Sequence, residues 1–401
     1  MTKETAITSL LDAMKGFHGQ FKKIYGQIAL RINEDTYVMS GGNKLISDIV
    51  EDDLIICDIN DGDLAAIFHC RRDVNAFIFG CSPDTVAVSN EVTSLPTMLE
   101  DAAQLAGHRI PVADNSTPNE LLIRLEDSDI CLIKGIGAVA VSSTAKGAVS
   151  AMHILHKECE AYLHGKMIGG GIPLNEELAD KLKLDYINTY IPTNDSSKQV
   201  DYIAFREDDF DIREEVIDYG KRLINDDLVF GTGGNLSRRV GENEMLITPS
   251  SMDYFDTHVE DIVRMDIGDM DYGKQRVPSS DVELHAKMYQ FLPGCNAIIH
   301  THSNACSVFA ACEAGFAITD PNLQQLIGNV KVVPYSADDP RQTMVDTLAV
   351  LSDTHAVILP HHGALFYGPS LEIVYEIAKS VEMLARNLLK YDAKSEDEDN
   401  E

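Results

Sequence analysis

Apolar positions along this chain recur in two registers. Short unbroken runs such as Ala356-Val357-Ile358-Leu359 read as buried strands. Longer stretches such as Leu371 to Leu389 place Val374, Ala378, Val381 and Ala385 on one face of a helix. The two kinds of run alternate through the sequence, which predicts the α/β class without fixing strand order.

The pattern is also duplicated. Gly26-Gln27-Ile28-Ala29, Tyr37-Val38-Met39-Ser40 and Glu51-Asp52-Asp53 lie over Gly234-Asn235-Leu236-Ser237, Met245-Leu246-Ile247-Thr248 and Glu260-Asp261, with Gly26 to Asp53 as long as Gly234 to Asp261. Further on, Asn75-Ala76-Phe77-Ile78 matches Asn296-Ala297-Ile298-Ile299, and Asp129-Ile130-Cys131-Leu132 matches His355-Ala356-Val357-Ile358. Two diverged copies of one domain are therefore expected. The turn-rich Pro192-Thr193-Asn194-Asp195-Ser196-Ser197 breaks the periodicity and sets the boundary near 195 to 205. The resulting domains are 1–195, 206–392 and an acidic disordered tail over 393–401.

Composition narrows the functional classes. In 401 residues, 33 basic side chains against 64 acidic ones give a formal charge of −31, which repels nucleic acid and anionic membrane surfaces. No apolar run approaches the ~20 residues that span a bilayer. The eight cysteines include no Cys-x-x-Cys pair, and the first thirty residues lack a signal-peptide pattern, so reduced thiols and a cytoplasmic location are expected.

Candidate chemistry concentrates in the second copy. In Ile298-Ile299-His300-Thr301-His302, strand geometry sends both imidazoles to the same side. A third follows another strand in Pro360-His361-His362-Gly363, where the glycine permits a sharp turn; which of the two histidines points inward is open at this level. Pro278-Ser279-Ser280-Asp281 reads as a helix entry with Asp281 in the first turn and His285 one turn on. Its carboxylate would complete three imidazoles around a Zn²⁺-like ion with a position open to substrate. Glu283 points away on that helix and reads as surface.

Gly231-Thr232-Gly233-Gly234-Asn235-Leu236-Ser237, Thr248-Pro249-Ser250-Ser251, Pro278-Ser279-Ser280-Asp281, His300-Thr301-His302 and His361-His362-Gly363 occur in the order of a known family, and residues 210 to 390 resemble the class II aldolase/adducin family. The resemblance implies two tandem aldolase-like domains, each a central β-sheet covered by helices on both faces. It selects His362 over His361 and implies one divalent ion per chain on Asp281, His300, His302 and His362. Zn²⁺ suits that set best, and Mn²⁺, Fe²⁺ or Co²⁺ would also fit. It assigns a substrate phosphate to Thr232, Asn235, Ser250, Ser251, Ser279 and Ser280. Backbone amides and hydroxyls can hold an oxyanion there without a dedicated lysine.

The activity implied first is metal-dependent cleavage of a small phosphorylated ketose, with Asp281 as the catalytic carboxylate. Family aldolases usually carry glutamate at that position, whereas aspartate is what L-ribulose-5-phosphate 4-epimerases have. An epimerase, decarboxylase or dehydratase on the same ion is therefore the second reading, and a non-catalytic adducin-like assembly protein the third. No tyrosine stands at Asp320 to Gln325 or beyond Tyr391, so the proton donor is left unassigned. In the first copy Phe79, Cys81 and Ile136 replace His300, His302 and His362, and the Pro-Ser-Ser-Asp segment has no counterpart. That copy is expected to bind no such ion and to serve assembly. As family members form cyclic tetramers, a homodimer acting as a pseudo-tetramer is implied.

Overall fold

The computed structural model describes residues 1–42, 44–60, 64–190, 209–336 and 339–390. The boundary expected near 195 to 205 and the acidic tail over 393–401 lie outside the described residues. The chain divides into one unit of Met1–Leu163 with Pro173–Tyr186 and a second of His164–Ile172 with Ile187–Glu401.

The first unit is built on strands β1 (Tyr25–Arg31), β2 (Thr36–Ser40), β3 (Lys44–Leu45), β4 (Leu54–Asp58), β5 (Ala76–Cys81), β6 (Ser94–Pro96), β7 (Arg109–Ala113), β8 (Ile130–Ile133) and β9 (Gly137–Ser142). They are ordered β4-β2-β1-β5-β9-β8-β7-β6, with β3 also against β1. The second unit uses β10 (Asn235–Arg239), β11 (Glu244–Ile247), β12 (Val263–Asp266), β13 (Ala297–Thr301), β14 (Lys331–Val332), β15 (Ala356–Leu359) and β16 (Gly363–Gly368), ordered β12-β11-β10-β13-β16-β15-β14. Apart from β6 and β3 the two orders are the same. Each sheet is antiparallel except for one parallel pair, β7 with β8 and β14 with β15.

The duplication extends to register. Gln27 lies opposite Phe79 in the first sheet, and Asn235 lies opposite His300 in the second. Phe79 thus occupies the strand position that His300 holds in the other copy.

Helices cover both faces of the second sheet, and β13, β15 and β16 are accordingly buried along their whole length. On one face Met245, Ile247, Ile298, Val357, Leu365 and Tyr367 pack with Ala286, Met288 and Tyr289 of the helix Val282–Phe291. The opposite face carries the helix Leu371–Leu388, whose stripe Val374, Ala378, Val381 and Ala385 is buried as its periodicity predicts. Among the described residues no helix is long and apolar enough to cross a membrane. None of the eight cysteines is in a disulfide.

Candidate metal centre

Three imidazoles converge where β13 and β16 meet. His300 is in β13 and fully buried, and His302 stands one residue past that strand's end. His362 immediately precedes β16. Ring centroids are 4.8 Å apart for His300 and His302, 4.7 Å for His300 and His362, and 4.9 Å for His302 and His362. One donor nitrogen from each lies within 4.8 Å of the other two. Donors ~2.1 Å from a common ion sit about 3–4 Å apart, so small rotations of these rings would close on a cation.

The turn between β15 and β16 separates the two adjacent histidines. His361 takes the left-handed conformation at φ 61°. Its ring turns to Glu313 Oε1 at 3.1 Å and packs edge-on against Tyr335, while its backbone N–H donates to the Ala310 carbonyl. His362 is thereby the one that faces His300 and His302. Gly363 is required by proximity: a Cβ there would meet the Thr301 carbonyl oxygen at 2.3 Å and the rings of His302 and His300 at 3.1 and 3.2 Å.

Asp281 departs from the expected placement. The helix begins at Val282, so Asp281 is its N-cap residue rather than part of the first turn, and its side chain does not cap the helix. Its Oδ2 instead accepts from Asn235 Nδ2 at 2.7 Å and lies 2.6 Å from His300 Nδ1. The three donors that lie within 4.8 Å of one another come from the histidines, and Asp281 is bonded to one of them, His300. Burial works to raise its pKa, but His300, and at longer range His362 and His285, hold it well below the usual carboxylate range. An ionised Asp281 fixes the proton on His300 Nδ1 and leaves Nε2 as the lone-pair donor. Glu283 is exposed, as expected of a surface residue.

Beneath these residues runs a buried polar chain. His285 Nδ1 is 2.8 Å from Ser237 Oγ, which is 2.8 Å from the Tyr289 hydroxyl. Burial pushes the pKa of His285 down to about 4, so its ring is neutral.

The hydroxyl-rich motifs gather at the start of β10. Gly231 and Gly234 adopt left-handed φ of 56° and 67°, and a Cβ on Gly234 would meet the His300 carbonyl oxygen at 2.6 Å. Thr232 is exposed on that loop. Pro249 and Pro278 bridge, with Ser250 N–H donating to the Val277 carbonyl and Ser279 N–H to the Thr248 carbonyl. Ser250, Ser251, Ser279 and Ser280 therefore come from two segments lying side by side. Thr248 Oγ1 accepts from Leu236 N–H next to Asn235, tying both segments to β10.

Two residues missed at the level of sequence support these parts. The buried Tyr254 hydroxyl donates to the Gly234 carbonyl at 3.4 Å, and a Cβ on Gly220 would strike its ring at 2.2 Å. Glu382 accepts from Ser303 Oγ at 2.7 Å, Ala305 N–H at 2.9 Å and Cys306 N–H at 3.0 Å. It therefore caps the helix Asn304–Ala311 that leaves His302. The available signal was a carboxylate interrupting the apolar stripe between Val381 and Ala385.

The model of the Class II Aldolase and Adducin N-terminal domain matches this chain twice, over residues 8–163 and 214–389. The chain belongs to that family. A 5-deoxy-D-ribulose 1-phosphate aldolase of Bacillus thuringiensis serovar kurstaki is 30% identical over 188 residues, covering 46% of this chain and 85% of the relative. An L-fuculose phosphate aldolase of Haemophilus influenzae is 28% identical over 185 residues, covering 45% and 83%. Among solved structures, an L-fuculose 1-phosphate aldolase is 32% identical with a TM-score of 0.42, covering 46% of this chain and 87% of its own. The two sequence relatives each match less than half of the chain while the family model matches it twice, in keeping with a tandem arrangement of two family domains.

In the first family copy the corresponding place is a cavity of about 640 Å³ lined by Tyr25, Gly26, Gln27, Gly42, Phe79, Cys81 and Ile136. Phe79, Cys81 and Ile136 hold the positions of the three imidazoles.

Proposed function

We propose that the second family copy is a divalent-metal-dependent aldolase that cleaves a carbon–carbon bond in a small phosphorylated ketose or related hydroxy-carbonyl compound. The observation that carries this reading is the convergence of His300, His302 and His362 from two strand ends, with ring centroids 4.7 to 4.9 Å apart. A bound ion, Zn²⁺ by preference with Mn²⁺, Fe²⁺ or Co²⁺ as alternatives, would supply Lewis-acid stabilisation of the charge that develops next to the carbonyl. Asp281 orients His300 and, being ionised and partly open at 20% side-chain exposure, is the carboxylate suited to exchange the substrate proton. Thr232, Ser250, Ser251, Ser279 and Ser280 would receive the phosphate through hydroxyl and amide donors, with Asn235 joining that side to Asp281. The names of the relatives, all aldolases of phosphorylated sugars, support the substrate class.

The test is bound metal in the wild type and in His302→Ala, followed by aldehyde release from a panel of ketose phosphates. His302→Ala should hold one equivalent less and release no aldehyde. Equal metal content in the two proteins removes the reading.

A second reading, epimerisation on the same ion, is favoured by the aspartate at 281, one methylene shorter than the usual family glutamate. An epimerised product without free aldehyde would select it. The chain is proposed to dimerise, which light scattering would read as a mass near twice 44.1 kDa. A clean monomer is the contrary result.

A further inference from the structure

The helix Ala145–Gly165 of the first unit carries His156 and Glu160 one turn apart. Both are buried, at 6% and 4% exposure, with His156 Nδ1 3.6 Å from Glu160 Oε1. Asp84, in the first turn of the helix Pro83–Glu91, meets them. One donor atom from each of Asp84, His156 and Glu160 lies within 4.8 Å of the other two. We propose that these three side chains form a second divalent-cation site, in the copy that lacks the three imidazoles.

The second unit shows what the same place in the fold looks like when no metal-ligand chemistry is present. His156 stands on the helix after β9 as Glu382 stands on the helix after β16, and Asp84 follows Ser82 as Ala305 follows Ser303. Glu382 is satisfied there by protein donors: Ser303 Oγ, Ala305 N–H and Cys306 N–H. In the first unit the corresponding donors are used locally, because Thr85 N–H donates to Ser82 Oγ and the two hydroxyls of Ser82 and Thr85 bond each other. Ala305 gives way to aspartate, Glu382 to histidine and Arg386 to glutamate, so an internally satisfied cap is exchanged for one imidazole and two carboxylates. An imidazole nitrogen and two carboxylates brought this close together, two of the three side chains buried, present their donor atoms to one point, which is the arrangement a divalent cation coordinates. One nitrogen and two oxygens make a borderline-to-hard donor set that suits Mn²⁺ or Zn²⁺, with coordination positions left for water.

The experiment uses the full chain, stripped with a chelator, reloaded with Mn²⁺, desalted and measured for metal per chain by mass spectrometry. The wild type should hold two equivalents, His302→Ala one, Glu160→Gln one, and the double variant none. A Mn²⁺ titration of the wild type followed by electron paramagnetic resonance needs no substitution and should resolve two classes of site. Saturation at one Mn²⁺ per chain that His302→Ala abolishes overturns the proposal while leaving the imidazole site intact. Saturation at one that His302→Ala retains and Glu160→Gln weakens at least about 10-fold supports it and removes the imidazole site instead.

Discussion

Asp281 Oδ2 lies 2.6 Å from His300 Nδ1 and accepts from Asn235 Nδ2 at 2.7 Å. A carboxylate in that place acts on metal binding through the histidine it holds. Asp281→Asn keeps the size of the side chain but removes its charge, so the single oxygen that both His300 Nδ1 and Asn235 Nδ2 reach becomes a neutral and weaker acceptor. Metal affinity should fall about 10- to 100-fold with little loss of folding stability. Competition with a chromophoric chelator measures this, and an unchanged affinity would show that His300 is oriented without Asp281.

Gly363 tests the other end of the site. Alanine there would press a methyl against the Thr301 carbonyl oxygen at 2.3 Å and against both strand histidines. Gly363→Ala should cost about 1–3 kcal/mol or more and release metal. Gly41→Ala is the control, since a Cβ there meets nothing within 4 Å, and it should change stability by less than about 0.5 kcal/mol. Equal melting temperatures for the two variants would contradict the packing argument.

The parts of this site that follow strand periodicity were legible from sequence, and those that depend on a turn or a long-range contact were not. His300 and His302 share a side because residues two apart in a strand must. His361 and His362 are adjacent, so only the left-handed φ of His361 decides between them, and nothing in Pro360-His361-His362-Gly363 encodes that angle locally. Asp281 stands at the N-cap, one residue before the helix, where a shift of one position is enough to redirect a side chain. Glu382 reaches Ser303 across 79 residues of sequence, a pairing that only the packing of two helices on one sheet face creates. The repeat was the strongest signal of the fold, because the aligned segments reproduce both strand order and register.

In the first unit, burial, opposed in part by the Met98 N–H that donates to Oε1 at 2.5 Å, pushes the Glu158 carboxyl up to about 8. The unfolded chain gives up this proton near 4.5, so between pH 4.5 and 8 the folded state holds a proton that the unfolded state has lost. That contribution to stability is complete below pH 4.5 and is lost as pH rises through 8, by a few kcal/mol at most. Glu158→Gln is neutral throughout and keeps an acceptor for Met98. Its urea midpoint should fall less than that of the wild type between pH 5 and 8, and parallel pH profiles would mean that Glu158 is ionised in the folded protein.

Glu382 separates positioning of the metal site from general stability. Its Oε2 accepts from Ser303 Oγ and Cys306 N–H while Oε1 accepts from Ala305 N–H, so both oxygens are committed. Glutamine retains one acceptor and sets an NH₂ group against the donors of the other, leaving at least one buried N–H unsatisfied at a cost of about 1–3 kcal/mol. Because Ser303 directly follows His302, the same change loosens the backbone that aims this ring at His300 and His362. Glu382→Gln should therefore lower both the melting temperature and the metal affinity. Ser303→Ala, which removes one of the three donors to Glu382, should lower both by less. If Glu382→Gln destabilises the fold but binds metal as tightly as the wild type, the cap serves only the helix Asn304–Ala311, and His302 is held by β13 alone.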